Sequence, residues 1–313
     1  MNTFNKIIDD LSTENRFGYY APFFRVFICL YLIKDIIVTY GFTDLLYTGK
    51  SFLVSEPLPL LEYFNISSDL LRDNFYIFLL LYIALIVLFL FGIGKRFTAL
   101  TLFFCVELMQ NMAWLTLNGG DNIIKFVILY FVFIDSYSRF SNKPISYKNE
   151  ESKKLGNFLS NVAGYSICIH LCLIYFVSAM HKINSEVWFN GVATYYILGS
   201  ERFRGTGLNL ALIKNGFFVT LSTYGTILIE LIFPFWIWFK KTRNVMIILA
   251  ISLHMGIGLF MMLYDFQIIF VLLQGFFLTN KEWQTIVSKT MNFVSRYKLR
   301  LNAIIKTNPA TSK

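Results

Sequence analysis

Five ionisable residues stand out in a chain otherwise dominated by apolar runs: Glu107, Asp121, Lys182, Glu230 and His254. A charged or titratable group in hydrocarbon persists only when it is paired, hydrated or put to use. Lys182 ends an apolar run, where loss of water favours a neutral amine that can serve as a base. The alternative there is a lysine that snorkels to the interface. Glu230, in TYGTILIELIFP, lies near the middle of a run and needs a partner or a proton; Lys125, Arg25 and His254 are candidate partners across a helical bundle. His254, in LHMGIG, has Gly256 and Gly258 beside it, which permit close helix packing, so it is either a satisfied polar contact or a proton-handling group.

The turn Asn118-Gly119-Gly120-Asp121 offers two readings. Asp121 can cap the helix that follows, or it can present a carboxylate beside free backbone amides in a pocket. The stretch from Tyr175 to Tyr196 is the densest in polar and aromatic groups, with His181, Trp188 and Gly191 flanking Lys182 on a re-entrant or interfacial helix. The expected pocket therefore has Lys182, His254, Asp121 and Glu230 as its reactive set. Asn118, Gly119, Gly120, Glu107, His181, Trp188 and Gly191 are expected to line it. The three histidines, His170, His181 and His254, lack the spacing of a metal site, so no metal is expected. No phosphate loop, nucleotide fingerprint or nucleophile elbow occurs. Cys29, Cys105, Cys168 and Cys172 all fall inside apolar runs, which argues against a disulfide framework.

These side chains must be carried by membrane helices. Charged residues make up only 15% of the 313 residues and apolar ones 56%, with mean hydropathy +0.57; a soluble domain carries about 25% charge. Eight apolar runs, at about 19–40, 75–93, 97–116, 121–138, 161–181, 219–239, 244–263 and 266–280, approach the length that crosses a bilayer as a helix. Lys and Arg alternate between the intervening segments, 19 in one set and 6 in the other. The basic set marks the cytoplasmic side. The fold expected is an all-α, polytopic transmembrane bundle of about eight spans at the cell membrane, with N-terminus and C-terminus cytoplasmic.

The first 16 residues lack the basic-then-apolar order of a signal peptide. Residues 1–280 read as one domain. Residues 281–313 read as a basic amphipathic cytoplasmic tail that lies on the inner leaflet, with a partner-binding tail as the alternative. A second external segment, 41–74, contains Glu56-Pro57-Leu58-Pro59 and a short surface helix. The net charge of +9 fits topology and contact with membrane lipid. No basic patch is interleaved with stacking aromatics, so nucleic acid is not an expected partner.

The order of short motifs resembles a known family: GKRFTAL at 94–100, NGGD at 118–121, HKI at 181–183 followed by Trp188, Gly191, Ala193 and Tyr195-Tyr196, TYG at 223–225 with Glu230 and Pro234, and LHMGIGL at 253–259. The arrangement resembles the HTTM domain, the membrane domain shared with vitamin K-dependent γ-carboxylase, over about residues 15–280. Within that family it looks most like the stand-alone bacterial SdpB type, which supports production of a secreted sporulation-delaying (antimicrobial) peptide. The resemblance implies that Lys182 matches the carboxylase lysine acting as base toward vitamin K hydroquinone, and that His254 matches a histidine of a later span. It also implies a quinone-type lipid as a candidate cofactor, and a secreted peptide precursor and an accessory protein as candidate partners. Gly119-Gly120 stand where the carboxylase has an Asn–His pair, and no counterpart of its large lumenal domain is expected, so glutamate carboxylation itself is not. A non-enzymatic scaffold or immunity factor is the competing expectation.

Overall fold

The computed structural model describes residues 3–50 and 57–307, with side chains described for these residues except 4 and 298–307. Among the described residues there is no strand. Ten principal helices run in order: α1 (Thr3–Thr13), α2 (Ala21–Thr39), α3 (Phe75–Leu90), α4 (Lys95–Met112), α5 (Gly119–Phe131), α6 (Glu150–Ile183), α7 (Gly216–Trp236), α8 (Lys240–Met261), α9 (Tyr264–Leu273) and α10 (Asn280–Thr307). Each of the eight apolar runs is one of the helices α2 to α9. Helices α6, α7 and α8 are long and apolar enough to cross a membrane; α3 and the stretch Tyr264–Phe277 are apolar but shorter. By length and composition, this is the helix set of a membrane protein.

Local chemistry sets the helix ends. Gly92 and Gly94, at φ +66° and +72°, reverse the chain between α3 and α4 in a left-handed conformation that glycine tolerates. Asn149 accepts from the Ser152 amide at 2.8 Å to start α6, and Asn215 accepts from the Phe218 amide at 3.1 Å to start α7. Pro234 lies two residues before the end of α7. Of the 41–74 segment, Glu56 lies outside the described residues, while Pro59–Tyr63 and Ser68–Asp73 are short helices. The segment after α6 forms two more, Glu186–Phe189 and Ala193–Gly199.

The core is aromatic. Phe24, Phe89, Phe131 and Phe276 bring α2, α3, α5 and the 3₁₀ turn after α9 together, with ring centroids 5.2 to 6.5 Å apart. The four cysteines are free and buried within it.

At one end of the bundle, Arg25 is fully buried. Its Nη1 donates to the carbonyls of Phe89 and of Leu90 (3.0 Å), and its Nη2 donates to those of Arg139 (3.1 Å) and Phe140 (2.7 Å). It supplies donors to carbonyls at the end of α3, where that of Phe89 also accepts from the Gly92 amide at 3.1 Å. Near that end, Asn157 and Asn161 of α6 tie down the end of α1: Asn161 Nδ2 donates to the carbonyls of Leu11 and Glu14, both at 2.7 Å, and Asn157 Nδ2 to that of Ser12 at 3.1 Å.

Candidate functional site

At the opposite end, the start of α5, the end of α6, α7 at Glu230, the end of α8 and the start of α9 converge around a cavity of about 390 Å³. Its walls are mainly apolar, with Phe126, Phe266 and Phe270 prominent, and three of the reactive residues expected from sequence line it: Lys182, Glu230 and His254.

Lys182 Nζ lies 2.8 and 2.6 Å from the two carboxylate oxygens of Glu230 and 2.6 Å from Ser178 Oγ, one helical turn back on α6. Trp188 folds over it, its ring centroid 5.1 Å from the ammonium, a cation–π contact. All three ammonium protons are therefore directed at named acceptors. The lysine neither snorkels freely to water nor stands as a free base. A base would arise here only after the proton moved along the 2.6 Å hydrogen bond to Glu230, leaving a neutral amine beside a carboxylic acid.

His254 is buried and makes the second polar feature. Its Nδ1 is 2.6 Å from Gln267 Oε1, and its Nε2 is 2.6 Å from the Tyr175 hydroxyl. Gln274 Nε2 donates to that hydroxyl at 3.1 Å. One assignment satisfies all three contacts: neutral His254 donates from Nδ1 to Gln267 and accepts at Nε2 from Tyr175. Reversing both amides inverts every donor and acceptor and leaves the chain equally bonded. Phe270 stacks on the imidazole at 4.9 Å. The arrangement holds a neutral imidazole and a phenol ready to exchange a proton at a cavity wall.

The remaining sequence candidates divide. Gly119 lines this cavity. A Cβ at the adjacent Gly120 would lie 2.8 Å from Ile269 Cδ1 and 3.2 Å from the Phe266 Cα, so glycine there lets α5 start against α9. Gly191 has φ +73°, and a Cβ there would meet the Tyr224 ring at 2.9 Å. His181 is exposed and is not among the lining residues. His170, not among the expected pocket residues, does line the cavity, with Nδ1 3.3 Å from the Tyr130 hydroxyl.

Asp121 is not with Lys182. Its Oδ2 accepts from the Asn118 amide at 2.8 Å while Asn118 Oδ1 accepts from the Gly120 amide at 2.7 Å, so the pair caps α5 reciprocally. Its other oxygen accepts from the Tyr31 hydroxyl. Asp121 and Asn118 line a separate cavity of about 200 Å³, together with Lys34, Asp35 and Asp265. There Lys34 bridges Asp35 (2.6 Å) and Asp265 (2.7 Å). Glu107 lines neither cavity and pairs with Lys125 at 2.6 Å, with Asn111 Nδ2 donating to it at 2.7 Å. Of the partners expected for Glu230, then, Lys125 is committed to Glu107 and Arg25 to backbone carbonyls. Tyr175, Gln267 and Gln274 carry no role in the sequence reading. The signal for the glutamines is a pair of polar residues seven apart in the apolar run FQIIFVLLQ, on one helix face.

No family model matches the chain, and no solved structure does. Two proteins of Bacillus subtilis (strain 168) are similar in sequence. The uncharacterized protein YitO is 26% identical over 254 residues, 76% of this chain and 81% of YitO. Sporulation-delaying protein SdpB is 30% identical over 161 residues, 49% of each chain. The chain is thus an all-helical membrane protein similar to YitO over most of its length and to SdpB over about half.

Proposed function

We propose that the chain is a multi-pass membrane protein of about eight spans, both termini cytoplasmic, that supports maturation or modification of a secreted peptide of the sporulation-delaying type. The observation that carries this reading is a closed Lys182–Glu230 ion pair and a His254–Tyr175 hydrogen bond set in one largely apolar cavity. Such a cavity suits a small amphipathic molecule or an apolar peptide segment with a polar group to orient. The alternation of basic segments turns its mouth away from the cytoplasm, where a secreted peptide or an accessory protein meets it. The similarity to SdpB supports the peptide side of the reading.

If the site is catalytic, Lys182 is its base, Glu230 receives and returns the lysine's proton, and His254 with Tyr175 supplies a second proton. The residues fit a quinone-type lipid or another unsaturated apolar ligand through Phe126, Phe266 and Phe270; a carboxylase-like reaction is the enzymatic extreme of this reading. A non-enzymatic scaffold or immunity role is favoured by one specific observation, that every ammonium proton of Lys182 is already engaged. The experiment is secreted-peptide production in cells carrying Lys182→Ala or the double variant Lys182→Met with Glu230→Leu, at matched membrane abundance. The catalytic reading expects production to collapse in both. Full production in the double variant removes it, and partner capture without turnover then favours the scaffold.

A further inference from the structure

Helix α10 leaves the bundle through three anchors. Asn280 Nδ2 donates to the Asn15 carbonyl at 2.9 Å and its Oδ1 accepts from the Tyr19 amide at 3.1 Å. Trp283 stacks on Tyr20, with centroids 4.5 Å and planes 6° apart, and its Nε1 donates to the Gly275 carbonyl at 2.9 Å. Glu282, one residue earlier, pairs with Arg243 of α8. Beyond Trp283, among the described residues, no side chain of α10 is held by another helix through a hydrogen bond, ion pair or ring contact. Ile286, Val287, Met291, Phe293, Val294 and Tyr297 are instead exposed, Phe293 to 71%.

At about 100° per residue, these six lie on one side of the helix, about the line through Trp283 and Val294. Lys281, Lys289, Asn292 and Arg296 lie on the other, with Lys289 and Arg296 seven apart on one stripe. The helix's only acidic residue, Glu282, is already paired. The sequence onward adds Lys298, Arg300, Lys306 and Lys313 and no acid.

We propose that α10 beds this apolar face into a bilayer surface rich in anionic phospholipid. The inference goes beyond the proposed function, since it does not depend on the cavity. An apolar face by itself fits several occupants. The surrounding charge selects one, because unopposed cations flanking an apolar stripe with Phe293 and Tyr297 match a layer of negative headgroups over acyl chains. A protein groove would need its own acidic rim to offset the same cations. The helix is fixed at its start, so the surface it meets is the one beside the bundle, and each basic side chain near an anionic surface strengthens the contact about five-fold.

The test is hydrogen exchange of residues 286–297 in the full-length protein, reconstituted in nanodiscs of phosphatidylcholine alone or with one-third phosphatidylglycerol. We expect exchange at least about ten-fold slower in the anionic discs. Lys289→Glu with Arg296→Glu should abolish the difference while exchange of α6 stays unchanged. Phe293→Ser with Val294→Ser should speed exchange in both discs. Equal exchange in the two disc types overturns the proposal. So does a lipid difference that survives the charge reversal, or protection that follows the number of protein copies per disc, which would mark a second chain as the occupant.

Discussion

Lys182 and Glu230 are 48 residues apart in sequence, yet the lysine nitrogen sits within 2.8 Å of both oxygens of the glutamate. The pair joins α6 to α7 at a depth where neither side chain is well hydrated, with exposures of 18% and 9%. Removing one partner leaves the other buried and uncompensated. Lys182→Met or Glu230→Leu alone should therefore cost about 3–5 kcal/mol, and the double variant should recover most of that loss. Thermal unfolding in detergent checks this: single variants no less stable than the double would mean that the two charges are independently hydrated.

The Gln267–His254–Tyr175 chain leads to a spectroscopic expectation. Gln267→Leu removes the partner of His254 Nδ1 and leaves a buried imidazole nitrogen unpaired, at about 1–3 kcal/mol. It should also mix the tautomers, because the ring is then held at Nε2 alone, by the Tyr175 hydroxyl, which can either donate or accept there. ¹⁵N-labelled histidine spectra report this directly, with one Nδ1/Nε2 shift pair in the parent and averaged shifts in the variant. Identical spectra would mean that Tyr175 alone sets the tautomer.

What the sequence made legible follows from length scale. Hydrophobic period and end signals act within a few residues, so the eight runs emerge as helices and Asn118 with Asp121 emerges as a cap. Pairing across the bundle depends on how each helix is rotated about its axis, which no local pattern records. Glu230 had three candidate cations by sequence, and the structure gives it Lys182. Asp121 groups with Lys182 by sequence because the start of α5 and the end of α6 fall on the same expected membrane face, but Asp121 lines the Lys34 cavity instead. The roles of Tyr175, Gln267 and Gln274 are not legible in sequence, because an isolated polar residue in an apolar run is ambiguous until its partners converge from other helices.

Arg25 carries a different kind of expectation, since among the described residues its charge meets no carboxylate. The two guanidinium nitrogens reach two separate chain segments, Phe89–Leu90 and Arg139–Phe140. A lysine has one nitrogen on a thinner stem and cannot bridge both. Arg25→Lys should lose about 1–3 kcal/mol, and Arg25→Met more than about 3 kcal/mol, because four carbonyls then lose a donor at once. Urea or thermal unfolding of the two variants measures the difference. Equal losses would show that the fork alone matters and that a single retained charge recovers nothing.

The junction of α9 and α10 should respond to acid, and the sign follows from Glu282. Partial burial pushes its carboxyl upward, but hydrogen bonds from the Thr279 amide (2.8 Å) and hydroxyl (2.9 Å), with the Arg243 guanidinium, outweigh that and hold it below the ordinary carboxylate value. A carboxyl depressed in the folded state stabilises that state above its unfolded value and ceases to do so as pH falls through the folded value. The start of α10 should accordingly be fully held at neutral pH and loosen on the acid side of the usual glutamate range. Exchange of residues 279–285 against pH tests this. In Glu282→Gln, which keeps the shape but carries no charge, the acid-dependent step should vanish and the junction should exchange faster at neutral pH. An unchanged acid profile in that variant would assign the step to another group.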